Sequence, residues 1–545
     1  MILYIKPSNE FEFDVLLDEK SFFLETPFID KTELLSNAIN TLETDIQNLA
    51  KSVDSNRYYN FFWEFTYDIH RDDGIRDTVA DYYLLEILSY INKKYKIKKV
   101  EIHYFLPKPV INKISNVFPI SLKYSKKYLI KNYIRYQLGP LKYLINNLFK
   151  TFLRKRRNKE IEGSNNVVCI TNNFFSTVRY KDFPTMLGKK FNVYLLNISL
   201  TKIRNHLTKK EIRLNSYSIR LYFKSFFKSL KQYKSFHSTL KIIKKKSIFS
   251  LKLKNQSFLQ TFYLVLRYET LKKIFSTNEF KYVIVITTIG EPLMRMVCAV
   301  ARVKKIETIV FSCRYFLSNL RAEDRIIKLD FSSSNSDFFT DFFISFDKIS
   351  KNHLMQAGVD INSIYTYNEE KKENEQKYIS NGILLLFSSP PYNDKLLTLF
   401  ESAVKKGHKF ENVYYREHPN KGMSEEHMKR FKNIFKKNIC LNKYKWVEIT
   451  FSNVLAFTSN STSGIDASSR GASIVWMPFL TEQSIQFKPM MEAIGKVCYS
   501  ENEFLSFIAS LDRKTRASFN KKCKTEYQRN IYEKSSMSEF LDRIA

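Results

Sequence analysis

Tyr414-Tyr415-Arg416-Glu417-His418-Pro419, then Thr458-Ser459-Asn460-Ser461-Thr462-Ser463-Gly464-Ile465-Asp466-Ala467, then Gly471-Ala472-Ser473-Ile474-Val475-Trp476-Met477-Pro478 is the stretch whose reading decides the fold. In each piece a short apolar run gives way to a polar loop, or a polar loop opens a helix. That is the rhythm of buried parallel strands alternating with helices. In open sheets of this kind ligands sit at the carboxyl ends of the strands. A His-Pro at one strand end and a hydroxyl-rich, glycine-containing turn at the next suit an anionic, phosphate-bearing ligand. The ring of His418 donates in either protonation state, Pro419 fixes the backbone after it, and hydroxyls and loop amides complete the cradle. Each piece also has a plainer reading, the Ser/Thr cluster as a helix N-cap and the His-Pro as an ordinary turn.

Working outward, the same alternation recurs upstream. Gly382–Phe387 reads as a strand ending in Ser388-Ser389-Pro390-Pro391, and Leu396–Lys406 as the helix after it. Strands are expected at Val100–Leu106, Asn166–Thr171, Phe191–Leu196, Tyr282–Thr288 and Glu307–Phe311, with helices over Leu34–Lys51, Thr78–Tyr90 and Glu291–Lys304. Helices at Glu501–Asp512 and Thr525–Ile544 close the chain. The charged, apolar-poor segment Tyr365–Gln376 reads as a linker. The expectation is therefore an α/β protein of two Rossmann-like, doubly wound parallel-sheet domains, residues 1–365 and 377–545. A chain of 545 residues is too long for one core.

Charge and cysteines narrow the class. The formal net charge is +33, and residues 102–159 and 212–268 contain no Asp or Glu but 14 and 13 Lys and Arg. Within them, basic residues interleave with Tyr, Phe, Leu and Ile, as in Leu221-Tyr222-Phe223-Lys224-Ser225-Phe226-Phe227-Lys228. We read two basic amphipathic insertions, about 123–157 and 212–268, suited to an anionic membrane surface. Nucleic acid is the competing partner of any basic face, but no nucleic-acid motif accompanies these residues. Six dispersed cysteines without a CxxC pair speak against a zinc site or a disulfide framework and for a reducing compartment. Met1–Pro7 is too short and polar for a secretory signal, and no apolar run reaches membrane-spanning length. The expected location is the cytoplasm, peripheral to the inner membrane.

His-Pro followed by a Ser-Ser/Thr-type motif, in the second half of a two-domain α/β chain, resembles bacterial glycosyltransferases of the GT-B fold that use CMP-activated sugars. These are the sialyl-, polysialyl- and 3-deoxy-octulosonate transferases of capsule and lipopolysaccharide assembly. The likeness covers residues 380–500 most closely. It implies a CMP-linked donor, a glycan or lipid-linked acceptor, no cofactor and no metal. It also implies that His418, Ser461, Thr462 and Ser463 hold the donor phosphate, with Pro419 and Ser459 also in the donor site and Asp466 on the donor ribose; simple complementation of the helix dipole is the alternative for Asp466. Lys488 or Arg470 would add positive charge. The same group carries a paired-acid-Gly motif whose carboxylate is the catalytic base. Asp72-Asp73-Gly74 matches its order, unusually near the start of the chain, and reads equally as a polar turn. Glu291, after Thr287-Thr288-Ile289-Gly290 and opening a helix, is the second candidate base. A CDP-glycerol-type polyol-phosphate transferase shares the His-Pro and Ser/Thr arrangement. A non-catalytic membrane- or nucleic-acid-binding protein is the remaining class.

Overall fold

The computed structural model describes residues 1–7, 13–18, 20–21, 31–52, 78–103, 106, 108–123, 145, 165–171, 182–197, 211–213, 218–242, 247–248, 250, 258–287, 292–312, 340–356, 358–367, 377–387, 390–410, 412–417, 422–444, 446–459, 463–480 and 488–545. They carry three sheets. The first comprises β1 (Ile2–Pro7), β2 (Phe13–Leu17) and β3 (Lys20–Ser21), then helices α1 (Lys31–Ser52) and α2 (Thr78–Lys94), β4 (Lys99–Ile102), α3 (Lys108–Ser115) and β5 (Ile120–Leu122). Its strand order is β3-β2-β1-β4-β5, with β1 antiparallel to β2 and parallel to β4. Leu3 and Ile5 turn inward from β1 while Ile2 and Tyr4 stay partly exposed, the alternation of a half-buried strand. Asp18 closes the hairpin at φ 44°, its carboxylate accepting from the Ile2 N–H at 2.7 Å.

The second sheet follows with β6 (Asn166–Thr171), α4 (Asp182–Leu187), β7 (Asn192–Asn197), β8 (Glu211–Arg213), α5 (Ile219–Ile242), α6 (Phe258–Thr277), β9 (Tyr282–Thr287), α7 (Pro292–Val303), β10 (Glu307–Ser312), β11 (Phe342–Ser345), α8 (Lys348–Gln356) and β12 (Ile364–Thr366). All its pairings are parallel, in the order β12-β11-β10-β9-β6-β7-β8. The third holds β13 (Lys377–Leu386), α9 (Pro390–Lys405), β14 (Val413–Arg416), α10 (Glu425–Ile434), β15 (Asn438–Cys440), β16 (Ile449–Thr458), α11 (Ser463–Ser469), β17 (Ser473–Trp476), α12 (Lys488–Ala493), β18 (Lys496–Val497), α13 (Glu501–Ala509), α14 (Arg513–Asn530) and α15 (Met537–Ile544). It too is wholly parallel, in the order β15-β14-β13-β16-β17-β18.

Numbered from the first strand of each, both parallel sheets run 3-2-1-4-5-6, and the second adds a seventh strand beyond the sixth. This is the doubly wound dinucleotide-binding order, in which the direction of winding reverses between strands one and four. The α/β class of two Rossmann-like sheets expected from the sequence is thus what the chain forms. The first, mixed sheet is an addition that the sequence reading did not separate out. It does not stand alone, because one apolar cluster runs from Leu3 and Ile102 through Phe236 and Leu271 to Val283 and Ile364.

Two features of the packing bear on function. Helix α6 is buried nearly all round and α5 covers it as an outer layer. And the chain returns at its end from the third sheet to the second. Ser536 exchanges hydrogen bonds with Thr366, its N–H donating at 3.0 Å and its hydroxyl accepting at 2.9 Å. Lys351 pairs with Glu533 at 2.6 Å, and Phe540 packs against Tyr365 at 4.9 Å between ring centres. A second apolar cluster therefore spans both parallel sheets, from Phe183 and Phe311 through Phe540 and Ile531 to Ile465 and Trp476. The single helix expected over Thr525–Ile544 is two, broken between Asn530 and Met537 where this crossing is made. No described helix is long and apolar enough to cross a membrane.

Candidate functional site

In the third sheet the winding reverses between β13 and β16, which pair side by side from Lys377↔Ile449 to Leu385↔Phe457. The crevice of such a sheet opens at the carboxyl ends of these two strands. On one side β13 runs through Leu386 and Phe387 towards α9, which begins Pro390-Pro391. Two prolines remove two of the amide donors a helix start would offer an anion. Phosphate recognition by α9 backbone is thereby weakened at its source. On the other side β16 ends in Thr458, followed by Ser459, both buried, and α11 opens at Ser463.

The approach of α11 to β16 is set by close packing. A methyl group added at Gly464 would stand 2.9 Å from the Trp476 ring and 3.0 Å from the Thr458 methyl, so only glycine lets α11 lie this close to its strand. Trp476 is itself fixed, fully buried with its indole N–H donating to the Ile494 carbonyl at 2.7 Å. From α9, the fully buried Tyr392 brings its hydroxyl beside Thr458 and Ser459, and burial raises its pKa. Asp466, in the first turn of α11, is buried at 9% exposure. Because α11 is only seven residues long, its dipole alone makes a weak anion site.

The neighbouring strand end is held by a cation the sequence reading passed over. Arg416, the last residue of β14, donates to the Tyr444 carbonyl at 2.9 Å and stacks on Trp446 at 4.2 Å. Burial pushes its guanidinium down to about 10, a sign of how far it is taken out of water. The Glu417 N–H donates to the Asn442 side chain at 2.9 Å. Both clamps fix the backbone immediately before His418. A charged residue closing the apolar run Val413-Tyr414-Tyr415 was the available signal.

Of the expected site residues, the structure gathers Ser459, Ser463 and Asp466 at the β16 end of the crevice. His418, Pro419, Ser461, Thr462, Asp72, Asp73 and Glu291 lie outside the described residues. Arg470 follows the last residue of α11 and is buried, its carbonyl accepting from the Phe451 N–H at 2.7 Å. Lys488 opens α12.

Topology also separates the two candidate bases by chain position. In the chain Glu291 falls between α7 and β9, a strand at the winding reversal of the second sheet, whereas Asp72-Asp73 precede α2. Elsewhere, His427 bridges Asp394 at 2.9 Å and Ser424 at 2.8 Å, but Ser424 is the N-cap of α10 and its hydroxyl is engaged by the His427 N–H. We read that chain as a helix cap. Among the described residues no group of three or more His, Cys, Asp or Glu is placed to hold a metal.

The chain matches no known protein-family profile and no curated protein sequence. Among solved structures it is similar to Anabaena HepE, crystallised with UDP and glucose, at 9% identity over 67% of this chain and 95% of that one, TM-score 0.39. It is similar to Acinetobacter baumannii MurG at 10% identity, 70% and 99% coverage and TM-score 0.37. A Neisseria meningitidis UDP-GlcNAc 2-epimerase, bound to UDP-GlcNAc, stands at 10%, 66% and 95%, and 0.40. At this level of likeness the chain's own strand order, not the neighbours' chemistry, describes its fold.

Proposed function

We propose that the chain is a glycosyltransferase of GT-B type, moving a sugar from a CMP-linked donor to a bacterial surface glycan or its lipid-linked precursor. The observation that carries this reading is the coincidence of the Thr458–Ser463 hydroxyl loop with the winding reversal of the third sheet. A second sheet of the same order, with the Glu291 connection at its own reversal, supplies the complementary half. His418 and the loop hydroxyls hold the donor phosphate, and Asp466 the ribose.

In the transfer, a carboxylate takes the proton of the acceptor hydroxyl as its oxygen bonds to the anomeric carbon. The bond from that carbon to the CMP phosphate oxygen breaks, and the negative charge left on CMP is met by His418 and the hydroxyl donors. Glu291 is the preferred base, with Asp72 or Asp73 next. No metal or cofactor is assigned a role. The acid-free basic windows support an acceptor borne on an anionic membrane surface, with the enzyme peripheral to it.

The test is slow hydrolysis of a donor panel: CMP-, UDP- and GDP-sugars and CDP-glycerol. Turnover confined to CMP-sugars is expected. Turnover of CDP-glycerol alone would assign polyol-phosphate transfer instead, and no turnover of any donor would leave a binding protein.

A further inference from the structure

The outer face of α5 is not explained by the fold. Its inner face carries Ser225, Ser229, Phe236 and Leu240, all buried against α6 and the core. Tyr222 and Phe226 join Phe258 and Phe262 of α6 in an edge-to-face aromatic cluster. The helix is thus anchored without its outer side chains. Yet Phe223 and Phe227, one turn apart, are 58% and 64% exposed.

They share their face with cations. Arg220, Lys224, Lys231, Lys234 and Lys241 are all exposed, and with the two phenylalanines they fall within an arc of about 100° at 3.6 residues per turn. None of the five makes an ion pair among the described residues. Lys228 differs: it lies just off the stripe and is spent on the buried Glu269 of α6 and the Tyr268 ring. The fold neutralises the cation it needs and, among the described residues, leaves five without an ion pair beside two exposed rings.

We propose that this stripe of α5 is a docking surface for an anionic lipid bilayer, with α5 lying in the plane of the headgroups. Phe223 and Phe227 enter the acyl boundary at one end, and the cations along the remaining turns meet lipid phosphates. Charge complementarity selects the occupant: no Asp or Glu occurs anywhere from residue 212 to 268. A row of exposed cations around two exposed apolar rings, one of them edge-on to Phe226, fits a charged surface with an apolar interior. The purpose of the surface, to hold the enzyme at a lipid-borne acceptor, rests on the transferase reading; its affinity for lipid does not.

The experiment is co-sedimentation of the full chain with vesicles of neutral phosphatidylcholine and of phosphatidylcholine with phosphatidylglycerol. It uses wild type, Phe223→Ser/Phe227→Ser, and Lys224→Gln/Lys231→Gln/Lys234→Gln/Lys241→Gln. Each cation near a charged bilayer is worth roughly fivefold in binding, so the lysine variant should lose several-hundredfold on anionic vesicles, at about the level of neutral ones. The phenylalanine variant should bind anionic vesicles at low salt and be released at high salt, where wild type retains a remnant. All residues changed are exposed, and hydrolysis of the soluble donor, run in parallel, should be unaltered in both variants. Equal binding of wild type to both vesicle types overturns the proposal. So does undiminished binding by the lysine variant, or binding by wild type to oligonucleotide but to neither vesicle. Donor hydrolysis absent with lipid binding intact would instead remove the transferase reading alone.

Discussion

Gly464 ties α11 closely to its strand. Its missing side chain lets α11 close on Trp476 and Thr458, and the hydroxyl loop is the chain between these contacts. Gly464→Ala should therefore cost about 1–3 kcal/mol of stability by overpacking and weaken nucleotide binding together. Thermal denaturation alongside nucleotide titration checks both, and loss of stability with binding unchanged would uncouple the loop from the site. The base is the second residue-scale question. Glu291→Gln should lower turnover by about two to four decades with nucleotide binding retained, the usual scale for a general base. Steady-state kinetics on that variant, beside Asp72→Asn and Asp73→Asn, decides it. Inactivity of an Asp variant with Glu291→Gln active would move the base to the first sheet.

At the scale of elements, β13 and β16 are held by a device far from the crevice. Asn381 and Asn453 both adopt left-handed backbone, at φ 50° and 57°, at matching places on paired strands. The Asn453 amide donates to the Asn381 side chain at 2.6 Å, and from α14 Asn520 donates to the Asn453 side chain while Arg516 donates to its carbonyl at 3.0 Å. Asn453→Ala should be less stable than Asn453→Gly by about 1 kcal/mol, since both lose the amide and only alanine meets the left-handed penalty. Urea unfolding of the pair measures this; equal stabilities would mean the backbone relaxes.

This device also marks where sequence reading stopped. The upper halves of β13 and β16, together with β6, β9, β10 and β17, were legible because strands covered on both faces are nearly continuous apolar runs. The lower half of β13, Lys377-Tyr378-Ile379-Ser380, is polar and largely exposed, and is a strand only through its pairing with β16. Edge strands such as β8, β15 and β18, two or three residues each, leave no periodicity to find. The break before α15 was equally hidden, because the segment between Asn530 and Met537 is held by Ser536 bonding Thr366, 170 residues away. Within the site, hydroxyl and acid residues stood out by type. The buried Tyr392 and the Arg416 clamp did not, since what they touch is distant in sequence.

Across the whole molecule, the returning C-terminal segment joins the two parallel sheets through one apolar cluster. Phe540 is fully buried there. Phe540→Ala should cost about 3–5 kcal/mol and split calorimetric unfolding into separate transitions, as the sheets lose their common core. A single transition merely shifted downward would place the coupling elsewhere. The same two-sheet plan underlies the functional account, in which the third sheet carries the donor and the second brings the base. That account turns on donor phosphate binding at the His418 strand end, beside the β16 loop. Calorimetric titration of CMP into wild type and His418→Ala tests it most directly. Saturable binding, tighter than for UMP or GMP and weakened by about 1.5–3 kcal/mol in His418→Ala, is the predicted result. Absence of CMP binding to wild type, or the same affinity in both proteins, would contradict it.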